Sequence, residues 1–180
     1  MRRLVAAGPL AWAVMVFGLA AAVLMIATEF STIQSIKIGA STCGAADEQV
    51  RVVCETSGGD AHNWALFVLG LFAALLTFGA AVGRSKPAAF ALAAVGVIVL
   101  LVALLLDRPD LDETRGLETN FADVEAVTGG GYQLEIIAGV LALVAAGLAL
   151  LRERRASASD EKARRSRRRR SEEAAADSAA

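Results

Sequence analysis

One histidine, one tyrosine, three prolines and two cysteines are all that 180 residues hold of those types, and each shortage closes off some chemistry. A single imidazole, His62, cannot supply paired axial ligands to a buried haem. Two cysteines, Cys43 and Cys54, make one pair and no more. Charge is absent where the chain is most apolar: no Asp, Glu, Lys, Arg or His occurs within Leu4 to Thr28, Asn63 to Gly83, Pro87 to Leu106 or Ile136 to Leu151. Pumps and secondary transporters need an ionisable group near the bilayer midplane, which argues against transport by this chain alone.

What is present is apolar length. Ala88 to Leu106 gives nineteen consecutive residues with no charge, amide or hydroxyl, enough at about 1.5 Å per helical residue to span the roughly 30 Å hydrocarbon layer. With 56% hydrophobic residues the chain carries more apolar surface than a soluble globule. The reading is an all-α membrane protein, a four-transmembrane-helix antiparallel bundle. Residues 1–151 form the membrane domain, with helices at about 9–29, 62–83, 87–106 and 132–151 and outer loops at 30–61 and 107–131. Residues 152–180 form a disordered basic cytoplasmic tail, helical at most as a frayed extension. The uncharged run from Leu4 to Thr28 is too long for the core of a cleaved secretory signal, so it reads as a retained anchor.

Charge segregation sets the orientation. Thirteen acidic and four basic residues fall on the side of the two longer loops, against fourteen basic and six acidic on the other side. The positive-inside rule then puts both termini and the Arg84–Lys86 turn in the cytoplasm. Cys43 and Cys54 share the first outer loop, on the oxidising side, where such a pair is most simply a structural disulfide. Ile33, Ile36 and Ile38 alternate with polar residues, as do Val50, Val52 and Val53 around Arg51, which predicts two short strands paired as a hairpin stapled by that bridge. Asp60 is placed to cap the second helix, with Trp64 at the interface, and Pro87 opens the third. Asn120 is placed to cap a short helix running through Val127 in the second loop, and Gly129–Gly131 ends it.

The one constellation with chemical potential is a ring of polar residues at the outward helix ends: Glu29, Asp60, His62, Asp107 and Glu135. Antiparallel threading brings these ends to one depth, where a histidine with several carboxylates can hold a divalent cation or small ligand. The alternative is that they merely mark where helices leave lipid, since the spacing fits no recognised metal signature. Glu135, in the first turn of its helix, is expected to be part-buried and to pair with His62. In the tail, Arg164, Arg165, Arg167, Arg168, Arg169 and Arg170 form a polybasic block expected to meet anionic lipid headgroups. No aromatic residue is interleaved there for base stacking, so no nucleic-acid partner is expected.

The layout resembles that of claudin-type tetraspan proteins: four helices, cytoplasmic termini and a first outer loop whose small sheet holds a disulfide of about the Cys43–Cys54 spacing. The W…GLW stretch of that family is absent from Glu29 to Thr42, so the likeness carries no sealing function. Four helices with outward cysteines also resemble the quinone-linked disulfide-forming enzymes and vitamin K epoxide reductases. Those enzymes relay electrons between two cysteine pairs, one of them C-x-x-C, and this chain has a single pair. Ser57–Leu66 entering the second helix and Leu105–Asp110 leaving the third are similar to uncharacterised small membrane proteins of high-GC bacteria, which implies no activity. The expectation is a non-catalytic, cofactor-free membrane protein, structural or accessory to a larger complex or self-associating. A cation or ligand site at the rim and membrane thiol chemistry at Cys43 and Cys54 are the rival readings.

Overall fold

The computed structural model describes residues 8–38, 41–42, 55–108 and 124–177, with the backbone alone at 38, 41–42, 124, 160 and 167–177. Four apolar helices lie side by side: α1 (Gly8–Glu29), α3 (Ala65–Ala81), α4 (Lys86–Leu101) and α5 (Gly130–Asp177), with the short α2 (Gly58–His62) preceding α3. A π-helical turn, Val102–Asp107, prolongs α4. The spans Gly8–Glu29, Lys86–Asp107 and Gly130–Ser166 are long and apolar enough to cross a membrane, while α3 has 17 residues. The third crossing thus lies where the apolar run predicts it.

Around the bundle α1 packs on α3 and α5, and α4 packs on α5 and α3. Its interior is small and its exterior large. Ala21, Ala22, Ala73, Ala138, Ala142 and Ala145 are buried, whereas Phe72, Leu75, Phe90 and Leu105 lie on the surface. That inversion suits lipid as solvent, because in lipid helices associate through close van der Waals contact between small residues rather than by hiding bulky ones from water. Two crossings depend on glycine. A Cβ on Gly18 of α1 would stand 2.3 Å from Thr77 Oγ1, and Gly96 of α4 faces Gly139 of α5, each close to the other's carbonyl oxygen. Thr77 is fully buried and its hydroxyl donates to the Ala73 carbonyl of its own helix at 2.7 Å.

The second helix departs from the expected 62–83. Ser57 caps α2 by accepting from the Asp60 amide, and the chain then turns through Asn63 and Trp64, both left-handed, before α3 begins. Asp60 is therefore not the cap: its carboxylate accepts from the Ser57 hydroxyl at 2.6 Å. At the other end Ser85 caps α4 through the Ala88 amide, with Pro87 in the first turn as expected.

Beyond the Glu29 end sits a sheet of four strands: β1 (Thr32–Ile38), β2 (Ser41–Thr42), β3 (Glu55–Ser57) and β4 (Val124–Thr128), all antiparallel to β1. Gln34 and Ser35 pair with both β3 and β4, and Lys37 and Ile38 with both β2 and β4. A strand has only two edges, so β4 takes one and β2 and β3 share the other. The first-loop strand is where alternation predicts it, with Ile33 and Ile36 buried. Its expected mate, Val50–Val53, lies outside the described residues, as do Cys43 and Cys54. The expected helix through Val127 is corrected: 124–128 is a strand, because Val124, Val127 and Thr128 are β-branched and β1 offers them a free edge.

The expected unstructured tail is also corrected, since α5 does not stop near Leu151 but continues to Asp177. The reason is local. After Gly147 the sequence has neither glycine nor proline, and Ala, Arg, Glu and Lys are good helix formers. Glu161 and Arg165 pair at one-turn spacing, and the Ser157 and Ser159 hydroxyls return to carbonyls one turn back. At the junction Arg152 donates to the Ala81 carbonyl at 2.6 Å, closing the last turn of α3. Arg152→Ala is expected to cost about 1–3 kcal/mol by leaving that carbonyl unpartnered. Thermal unfolding in detergent reads it, and an unchanged midpoint would show that the contact contributes nothing.

Candidate functional site

Four segments each deliver one ionisable side chain to the plane where the bundle meets the sheet. Glu29 is the last residue of α1, His62 the last of α2, and Asp107 the last of the π turn. Glu135 stands one turn into α5. The π turn matters for Asp107: its wider winding leaves Leu104, Leu105 and Leu106 facing out while Asp107 turns in, only 7% exposed. Gly58 holds the α1 end against α2, since a Cβ there would lie 2.3 Å from the Thr28 carbonyl oxygen and 2.9 Å from Glu29 Cα.

His62 Nε2 lies 2.9 Å from Asp107 Oδ1. Glu29 does a different job: its Oε1 accepts from the Phe67 amide at 3.0 Å. Trp64, the residue at the α3 cap position, offers no side-chain acceptor, so the end of α1 caps the start of α3. Glu135 is fully buried beside the Asp107 carboxylate, and no donor group reaches either of its oxygens; Asp107 Oδ2 and Glu29 Oε2 are likewise buried without a donor. One donor atom each from His62, Asp107 and Glu135 fall within 4.8 Å of one another. Burial alone lowers the His62 pKa, but the hydrogen bond to Asp107 and the charges of Asp107 and Glu29 outweigh it, holding the imidazole above its ordinary 6.5.

Of the five rim residues read from the sequence, the fold gathers His62, Asp107 and Glu135 into one cluster and sets Glu29 near enough for its charge to act on His62. Asp60 does not join: it is exposed and occupied with Ser57. The expected Glu135–His62 pair is corrected as well, because the direct partner of His62 is Asp107. Sequence reasoning missed the Phe67 amide as the partner of Glu29, and it missed the π turn, which no residue type announces. It placed Trp64 at the interface but missed Phe30 and Phe67, whose rings meet that of Trp64 edge to face beside the rim. In the tail Arg164 and Arg165 are exposed, and the side chains of Arg167–Arg170 lie outside the description.

Three carboxylates face a single imidazole here, and even with His62 protonated the negative charge is in excess. Buried charge of one sign is costly unless a proton or a cation neutralises it. The arrangement is thus chemically suited to hold positive charge, and it holds no nucleophile paired with a base among the described residues.

No curated protein matches the chain, and no solved structure does. A family profile matches residues 14–180, covering both the bundle and the basic helix. By that match the chain belongs to the family described as tryptophan-associated transmembrane proteins.

Proposed function

We propose that this is a non-catalytic accessory protein of the bacterial cell membrane, a compact helical frame that presents a sheet outside the cell and a basic helix inside it. One observation carries the reading. Between the helix ends the interior is Ala, Gly, Leu, Val and Met with the Thr77 hydroxyl, while the ionisable groups gather at the sheet end and the tail end, leaving the middle of the bundle no ionisable group to relay protons. The orientation rests on the charge segregation, acid on the sheet side and base on the tail side.

The disulfide reading gains support from strand register. Thr42 and Glu55, the neighbours of Cys43 and Cys54, face Lys37 and Ser35, two residues apart on the same edge of β1. That offset is about 7 Å, and the next residue from each side carries the thiol. Alkylation of the full-length protein is expected to modify neither cysteine until a reductant is added. Free thiols in protein from the oxidising compartment would overturn the bridge.

On the inner side, α5 continues without a break past Leu151, which carries Arg164 about 20 Å along the helix axis. Electrostatic attraction to headgroups fades over about 8 Å at physiological salt, so Arg154 and Arg155 serve the bilayer while the block from Arg164 serves an acidic protein partner. Affinity purification from gently solubilised membranes tests the accessory role. A stoichiometric membrane partner is expected, lost on truncation after Arg155, and the family's description makes proteins that handle tryptophan the first to look for. A chain that purifies alone from native membranes, with and without chemical cross-linking, would contradict the reading.

A further inference from the structure

We propose that His62, Asp107 and Glu135 bind a divalent transition-metal ion of the zinc class, which clasps the sheet-side ends of the bundle. Two independent observations point to a ligand. The first is convergence: an imidazole nitrogen and two carboxylate oxygens from three different segments fall within 4.8 Å of one another. The second is Glu135, a carboxylate with no solvent exposure and no donor group on either oxygen, turned into that same group. The group beside it, Asp107, is itself a carboxylate, and two buried carboxylates in contact call for a proton or a cation between them.

The donor set selects the ion. Imidazole nitrogen suits zinc-like ions, whereas calcium and magnesium take six or more oxygens. Around a tetrahedral zinc with bonds of about 2.0–2.1 Å, donor atoms stand roughly 3.3 Å apart, so His62 and Asp107, now 2.9 Å apart, open slightly while separations of up to 4.8 Å close by as much as about 1.5 Å. Charge agrees. Neutral His62 with the Asp107 and Glu135 carboxylates carries two negative charges, which one divalent ion cancels. The ion binds His62 as neutral imidazole with its hydrogen on Nδ1 and both carboxylates ionised, so a second hydrogen on Nε2, facing Asp107 Oδ1, and any proton held between Asp107 and Glu135 leave to solvent. Glu29 stays with the Phe67 amide through Oε1, and its unpartnered Oε2 adds negative potential beside the ion.

The consequence is mechanical. His62 ends α2, Asp107 ends the π turn and Glu135 opens α5, so one ion ties three chain segments at the foot of the sheet.

The test uses full-length protein in detergent, stripped with chelator and carrying Cys43→Ser and Cys54→Ser so that thiolates cannot bind the metal. Zinc, manganese, calcium and magnesium chlorides are added separately. The expected result is one zinc per chain by elemental analysis after gel filtration, a raised unfolding midpoint with zinc, and no such rise with calcium or magnesium. Glu135→Gln, close to isosteric, is expected to weaken zinc binding at least tenfold, as is His62→Ala, whereas Asp60→Asn leaves it unchanged. Zinc binding that survives both Glu135→Gln and His62→Ala would overturn the proposal. So would the absence of bound zinc in a folded protein, or binding that disappears with the two cysteines.

Discussion

Replacing Gly58 with alanine is expected to destabilise the protein by about 3 kcal/mol, one of the two largest effects of a single substitution anticipated for this fold. The new Cβ would meet the Thr28 carbonyl oxygen at 2.3 Å and Glu29 Cα at 2.9 Å. Both obstacles are backbone, and neither can rotate away. Relief requires that the end of α1 move from α2, and that movement draws Glu29 away from the Phe67 amide and displaces His62. Loss of a cap acceptor and loss of the rim therefore accompany the strain. Unfolding of the purified protein, followed by circular dichroism, should show a midpoint lower by roughly 10 °C. A variant as stable as the parent would mean that α1 and α2 do not approach this closely.

Gly139→Leu is expected to be at least as damaging, through the bundle rather than the rim. Gly139 sits one turn beyond Glu135 on α5, where a Cβ would lie 2.7 Å from Leu100 Cγ and 3.2 Å from the Gly96 carbonyl oxygen. A single methyl is accommodated if Leu100 changes rotamer, so Gly139→Ala should cost only about 1 kcal/mol. Leucine has nowhere to go, and α4 must separate from α5 at a cost of about 3 kcal/mol or more. The separation also pulls Asp107 from Glu135, because these are the sheet-side ends of the same two helices. The graded series is the measurement. Equal stability for the alanine and leucine variants would show that this crossing is looser than the glycine pair implies.

Much of the frame was legible in the sequence, for reasons visible in particular residues. Ala88–Leu106 declares its span because nothing in it can bond to water. Pro87 and the alternation of Ile33, Ile36 and Ile38 mark a helix start and a strand by local geometry alone. Other features depend on distant partners and leave no local trace. Val124–Thr128 becomes a strand because β1 presents an edge, and its own sequence suits a short helix nearly as well. The break at Asn63 and Trp64 puts two non-glycine residues in the left-handed region, which neither residue type announces, and Glu29 caps a helix 38 positions further along the chain.

The rim divides in the same way. Counting charges placed His62, Asp107 and Glu135 at one depth, and depth is all that threading can give. Rotation about each helix axis decides which of them meet, and for Asp107 that rotation is set by a π turn within Val102–Asp107, a stretch that reads as ordinary apolar helix. Asp60, at the same depth, is turned away by a hydrogen bond three residues back.

Convergence of separate segments at His62 and Asp107 is the central claim, and proximity measured in native membranes tests it directly. In a chain with Cys43→Ser and Cys54→Ser, the paired substitutions His62→Cys and Asp107→Cys should form an intramolecular disulfide on mild oxidation. His62→Cys with Lys86→Cys, at the opposite end of α4, should not. Equal and negligible cross-linking of the two pairs would contradict the fold at the point on which the rim, the metal and the sheet all depend.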